Sequence, residues 1–224
     1  MRCLIVGASA SIAPDISDVF SENSYEVISA FRKCAKNKAT KSISYSISAD
    51  GSLKITNSSL VVELDVIVFC TGALIGKSIQ DYTIAEMEEA FDANIVVVAK
   101  FVKYLFSKLN NNSSVVFISS ISASAGSYDE IYSASKSALY GLTKSLAKNT
   151  KNGVRFNCVS PSLIKNSRMY NTFNKDEIQT HLSQTPSKHL VSSKDLAAII
   201  FDICQPHWKA LNGQIIDVNG GRYV

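Results

Sequence analysis

No stretch of this chain approaches the ~20 consecutive apolar residues that a membrane-spanning helix requires, so no membrane partner is expected. The first apolar run, residues 3–6, follows a single arginine and is too short for a signal peptide. Basic clusters are missing as well. The 23 Lys and Arg residues outnumber the 19 Asp and Glu and leave a formal charge of +4. No more than two cations adjoin, which argues against the basic face of a nucleic-acid binder. The five cysteines, Cys3, Cys34, Cys70, Cys158 and Cys204, form no CxxC unit. Three of them lie in apolar runs, where a free thiol packs as a small hydrophobe. A disulfide framework is therefore not expected, and a reducing, cytoplasmic setting is. His181, His189 and His207 lack metal-ligand spacing, so no metal site is expected.

What is present is an ordinary globular balance, 46% hydrophobic and 19% charged over 224 residues, which fits one α/β domain spanning 1–224. Apolar runs of strand length at 3–6, 25–30, 64–70, 115–118, 154–159 and 214–218 are joined by a half-buried strand in which Ile43, Tyr45 and Ile47 alternate with serine. Between them lie helical patterns at 12–22, 83–109, 130–149 and 193–203. Pro14 falls where a helix start tolerates it, and Thr83-Ile84-Ala85-Glu86 is a capping box. Strands alternating with helices predict a parallel sheet covered on both faces, a doubly wound Rossmann fold. Ligands of such sheets bind at the carboxyl ends of the strands. Residues 162–190 are too long and polar for a simple connection and are expected to form a lid over the site.

The first strand runs into Gly7-Ala8-Ser9-Ala10-Ser11-Ile12-Ala13 and then a helix. A tight turn of small residues there turns backbone N–H groups and a helix N-terminus toward a pyrophosphate. The mild positive charge suits such a ligand. A plain strand-to-helix turn is the competing reading, because only Gly7 of a glycine-rich turn is present.

Three YxxxK pairs occur: Tyr104/Lys108, Tyr132/Lys136 and Tyr140/Lys144. Only Tyr132 lies 12 residues after a serine that ends an apolar strand, Ser120, and 29 before a proline that ends the next, Pro161. The other two pairs read as helix-packing residues. Residues i and i+4 share a helix face. The spacing therefore predicts the Lys136 ammonium beside the Tyr132 phenol, lowering a pKa that is ordinarily about 10. Such a tyrosine can exchange a proton near neutral pH, with Ser120 orienting a carbonyl oxygen.

At these residues the chain resembles the short-chain dehydrogenase/reductase family, of the type that includes 3-oxoacyl carrier-protein reductases. The likeness runs from Gly7 to Gly221 and rests on Phe117-Ile118-Ser119-Ser120, Tyr132-Ser133-Ala134-Ser135-Lys136, Gly153–Ser162 and Gly213–Gly221. It implies a catalytic set of Asn94, Ser120, Tyr132 and Lys136. In that set Asn94 bends the long helix and holds a relay water; the competing reading is a solvent-facing polar residue. The loop to Tyr132 is one residue shorter than in the family, which keeps Ser119 as a second candidate serine. A nicotinamide dinucleotide is implied, bound by Gly7, Ser9, Ser11, Ile12, Arg32, Asp50, Gly72, Tyr132, Lys136, Pro161 and Ile164. Asp50 would meet the adenine, and Pro161 and Ile164 the nicotinamide.

Phe31 stands where the family places an acid for the ribose of NAD. Arg32 and Lys33 follow, so NADP(H) is favoured over NAD(H); a solvated helix start is the competing reading. The resemblance further implies reduction of a carbonyl or oxidation of an alcohol. It also implies a homotetramer or homodimer built on the helices at 83–109 and 130–149. Three departures stand out: Ser11 and Ala13 replace glycines, Cys70-Thr71-Gly72 replaces Asn-Ala-Gly, and residues 51–63 are shortened. The first motivates an alternative, a dinucleotide-binding sensor or scaffold without turnover. An isomerase or dehydratase on the same fold is a third reading.

Overall fold

A computed structural model describes residues 1–32, 41–48 and 50–223; Lys33 and Cys34 lie outside them. The chain opens with β1 (Arg2–Val6), whose last four side chains are buried. Helix α1 (Ala13–Glu22) follows, with Pro14 and Asp15 in its first turn and Ile16 and Phe20 inward. Strands β2 (Glu26–Phe31), β3 (Ser42–Ile47) and β4 (Leu53–Ile55) come next, then β5 (Leu64–Phe69). Helix α2 (Ile84–Phe91) starts at the Thr83/Glu86 capping box that the sequence announces. It passes through a π turn, Asp92–Val96, into α3 (Val97–Leu105). Strand β6 (Leu109–Ile118), the one-turn helix α4 (Ser122–Ala125) and the long helix α5 (Glu130–Asn149) lead to β7 (Arg155–Pro161). Helices α6 (Lys175–Ser183) and α7 (Ser193–Cys204) and strand β8 (Ile215–Val218) complete the order.

The eight strands form one sheet in the order β4-β3-β2-β1-β5-β6-β7-β8. Every pairing is parallel except β3 with β4, where Tyr45 faces Ile55. The sheet is covered on both faces. One core gathers Ile16, Phe20, Leu196 and Ile200 under α1 and α7. The other gathers Phe101, Leu105, Phe117, Leu139 and Phe156 under α3 and α5. Each such side chain contributes about 1.5–3 kcal/mol of burial. Strand β7 is buried along all seven residues, as a strand between two helical layers must be. The strand order reverses beside β1, which pairs with β2 on one side and β5 on the other. That reversal is the switch point at which a crevice opens.

The doubly wound class is as expected, with differences in detail. The sequence pattern does not predict strand β4, so the run at 64–70 is the fifth strand, not the fourth. Three residues carry no readable periodicity, and β4 exists because it pairs with β3. The helix expected over 83–109 is interrupted by the π turn and gives way to strand at Leu109. The early part of β6 is polar, and its pairing with β5 shifts register between Leu64 and Val66, which hides it from a hydrophobicity pattern. The segment 162–190 is not irregular throughout. It holds α6, started by an Asn174/Glu177 capping box, and a bridge from Ile164 to Val191 fastens its ends. Among the described residues no helix is long and apolar enough to cross a membrane, and no group of His, Cys, Asp or Glu could hold a metal ion.

Candidate active site

A cavity of about 700 Å³ opens at the carboxyl ends of β1, β5, β6 and β7. One end is walled by Gly7, Ser9, Ala10, Ser11, Arg32 and Tyr45. The other is walled by Ser119, Ser120, Tyr132, Lys136 and Pro161, joined by Ile164, Arg168 and Met169 from the segment after β7. Among the described residues three cations, Arg32, Lys136 and Arg168, line it and no carboxylate does. Long-range attraction therefore favours an anionic ligand.

Gly7 adopts φ +84°, and a Cβ there would stand 2.8 Å from the Thr71 backbone nitrogen, so only glycine lets the turn pass the end of β5. The amides of Gly7 and Ala8 are both occupied by the Ala30 carbonyl, at 3.1 Å. Ser9 and Ser11 are exposed and line the cavity, whereas Ile12 is buried behind them. Gly72 is equally constrained: a Cβ would lie 2.9 Å from Lys136 Nζ and 3.0 Å from Asn94 Oδ1. The cavity's volume, its cationic lining and two backbone approaches that a Cβ would fill all fit a dinucleotide. Asp50 sits apart from this lining. It is exposed on the turn after β3, and its carboxylate accepts from the Ser52 amide at 3.0 Å and hydroxyl at 2.8 Å. Those bonds hold its pKa below the usual value.

Helix α5 carries Tyr132 and Lys136 one turn apart, both facing the cavity. Their electrostatics differ from the sequence expectation. Lys136 is buried, and its ammonium donates to the carbonyls of Ile118 at 2.9 Å and Thr71 at 3.1 Å. Burial pulls its pKa down to about 8. The Tyr132 phenol is pushed up, not down. Burial is the main cause, Asp129 adds to it, and the adjacent Ser120 hydroxyl opposes it. Shared helix face gives a shared cavity, but a four-carbon stem lets the ammonium reach the nearest carbonyls instead of the phenol. Cys70 and Cys158 beside Lys136 are pushed to about 12 by burial and stay as thiols.

Of the two candidate serines, Ser119 directs its hydroxyl to the Lys136 carbonyl at 3.0 Å. Ser120 is the one beside the phenol; it also contacts the Ser122 hydroxyl at 3.2 Å. Asn94 is wholly buried, not solvent-facing. Its amide group accepts from the Ala73 amide and donates to the Ala73 carbonyl and the Ser135 hydroxyl, each at 2.9 Å. It thus pins the segment after β5 to α5 from inside the π turn. Tyr140 spends its hydroxyl on Ser160 at 2.7 Å, and the Lys108 ammonium lies 4.9 Å over the Tyr104 ring. Neither residue lines the cavity. Sequence reasoning missed Asp129, the N-cap of α5, which accepts from the Tyr132 amide at 2.8 Å. An aspartate immediately before a helical run was the available signal. It also missed Arg168 and Thr71 on the cavity wall, for which the sequence carries no signal.

Doubly wound sheet, glycine turn and Tyr/Lys/Ser cluster define a dinucleotide-linked oxidoreductase class. The chain belongs to the short-chain dehydrogenase/reductase family: a family profile described as enoyl-(acyl carrier protein) reductase matches residues 7–222. Glucose and ribitol dehydrogenase homolog 2 of Arabidopsis thaliana is 30% identical over 164 residues, 72% of this chain but only 57% of that protein's length. A 3-oxoacyl-[acyl-carrier-protein] reductase of Buchnera aphidicola is 24% identical over 239 residues, covering 99% of this chain and 96% of its own. Among solved structures, a glucose/ribitol dehydrogenase of this family from Brucella melitensis superposes with a TM-score of 0.89 at 23% identity, over 100% of this chain and 96% of that one. The family carries with it a nicotinamide dinucleotide as redox partner.

Proposed function

We propose that this protein interconverts a carbonyl and an alcohol with NADP(H), Tyr132 acting as general acid and base. The observation that carries the reading is the convergence of Ser120, Tyr132 and Lys136 on one glycine-walled, carboxylate-free cavity. Gly7, Ser9 and Ser11 would hold the pyrophosphate at the start of α1. Ile12 shapes that turn from behind, and Gly72, Pro161 and Ile164 wall the nicotinamide end. Asp50 would need to leave Ser52 to meet an adenine. A dinucleotide held by these residues would supply or accept the hydride. The Ser120 hydroxyl donates to the substrate oxygen and fixes its position. Tyr132 then gives that oxygen a proton as the alcohol forms. Because burial keeps the phenol protonated through neutral pH, reduction runs at neutral pH and falls as pH rises through the phenol's pKa. Oxidation, which needs phenolate, rises over the same range. Asn94 braces Ala73 beside this path, where it would hold a relay water between Lys136 and solvent. Arg32, exposed at the opposite end, would pair with a 2′-phosphate.

A homodimer or homotetramer built on α2–α3 and α5, a cytoplasmic setting, and a small-molecule substrate with no nucleic-acid or membrane partner complete the reading. The relatives are named as dehydrogenases and reductases, which lends nothing to a sensor without turnover. The test is Tyr132→Phe in protein shown by calorimetry to bind NADPH. A carbonyl panel should show turnover lowered about 10²–10⁴-fold, the usual worth of a positioned proton donor. Undiminished turnover would overturn the assignment.

A further inference from the structure

One buried charge has no part in the chemistry so far. Asp129 has no solvent exposure. Its Oδ1 accepts from the Tyr132 amide at 2.8 Å. Its Oδ2 accepts from the Gly76 amide at 2.9 Å and the Tyr82 hydroxyl at 2.8 Å. No ion pair to it occurs among the described residues. A helix N-cap needs only the first of these bonds, and serine or asparagine supplies it without burying a charge. A carboxylate held by neutral donors alone is a costly cap, so the extra bonds and the charge call for a purpose beyond capping. The neighbouring Glu130 carboxylate accepts from the Ile79 amide at 2.9 Å. The stretch from Gly76 to Tyr82 is thereby fastened to the first turn of α5 at three points, and Leu74, Ile75 and Gly76 just before it wall the cavity.

Resting on the oxidoreductase reading above, we propose that Asp129 is a positioning residue: it locks the substrate-side wall onto the helix that carries Tyr132 and holds a buried carboxylate on that residue's backbone amide, in the first turn of the helix. The charge disfavours phenolate and acts in the same direction as burial, while Ser120 at the end of β6 acts against it. The other groups around the phenol do not cancel it. Lys136, one turn on, directs its ammonium to two carbonyls. Arg168 reaches the cavity from the lid and is exposed to solvent. Tyr82 donates to Asp129 and is itself held well above the ordinary tyrosine range, with Glu86 and Tyr128 behind it. Asp129 thus keeps the proton on Tyr132 until a developing alkoxide takes it.

The experiment is a titration of Tyr132 in protein labelled with ¹³Cζ-tyrosine, its resonance assigned by loss in Tyr132→Phe. It needs no substrate. In the wild type the phenol should titrate above about 10, the ordinary tyrosine value. In Asp129→Asn and Asp129→Ser, both of which can still cap α5, it should fall by about one unit or more. In Tyr82→Phe, which keeps the carboxylate, it should not fall. In reduction assays the high-pH loss of kcat should move down by the same amount in the two Asp129 variants only. A phenol that titrates alike in wild type, Asp129→Asn and Asp129→Ser overturns the proposal and leaves Asp129 as a cap. Should neither Asp129 variant fold, Asp129→Thr, a third neutral cap, is read by the same criterion, and a wild-type Tyr132 value at or below about 10 overturns the proposal outright. Failure of the oxidoreductase reading would show separately, as undiminished turnover in Tyr132→Phe with this titration unchanged.

Discussion

Lys136 shows how a single residue trades stability for a site. Its pKa falls from 10.5 to about 8 on burial, a cost of roughly 3 kcal/mol at 1.36 kcal/mol per unit. Its two hydrogen bonds to carbonyls return about 1 kcal/mol each. Lys136→Met should therefore lose activity, yet melt no lower than the wild type at pH 7. A thermal melt checks this, and a Tm drop beyond a few degrees would mean that those two bonds matter more than the buried charge. The sign for binding also follows. Below about 8 the lysine is a cation facing an anionic ligand, and above it the cation is lost. NADPH affinity measured by calorimetry should weaken as pH rises from 7 to 9. At the far end of the cavity, Arg32→Ala should weaken NADPH about tenfold or more, equivalent to ~1.4 kcal/mol, and leave NADH nearly unchanged. Equal losses for both would remove the 2′-phosphate assignment. Tyr132, Lys136 and Ser120 were legible because their spacing relative to strand ends is a property of the chain. The direction of the Tyr132 shift was not, because it depends on how deeply the folded chain buries the phenol.

At the scale of elements, the π turn does work that no helical periodicity reveals. It places Asn94 inside the protein, where one amide group satisfies both backbone atoms of Ala73 and the Ser135 hydroxyl. Asn94→Ala leaves those groups unpaired, at about 2–4 kcal/mol. A chain of this size should then melt roughly 5–15 °C lower, which calorimetry would detect. A variant as stable as the wild type would show the brace to be dispensable. The capping boxes at Thr83, Asn174 and Ser192 are local sequence signals; only the first was read. Strand β4 and the polar start of β6 could not be read, because pairing with a neighbour, not hydrophobic pattern, makes them strands.

For the whole molecule, two helical layers over an eight-stranded sheet leave a few large apolar side chains outside. Ile84 is 70% and Val96 37% exposed, and both lie along the α2–α3 stretch. A Cβ at Gly141 of α5 would meet nothing within 4 Å. These exposed positions lie on the helices proposed above for self-association, where they would suit a second copy of the chain. Val96→Glu with Gly141→Arg should lower the molar mass seen by light scattering during gel filtration, with little change in Tm. An unchanged mass would place the interface elsewhere or show the chain to be monomeric.

The amino-acid sequence by itself determined the doubly wound class, the turn at Gly7, the α5 pair and the serine at the end of β6. All of these are set by local periodicity, capping and spacing along the chain. Only the tertiary structure decided which hydroxyl faces the phenol, that the lysine rests on Thr71 and Ile118, and that Asp129 joins two distant segments. Those are contacts between residues 12 to 65 positions apart, and their geometry exists only once the sheet has brought its strand ends to one edge.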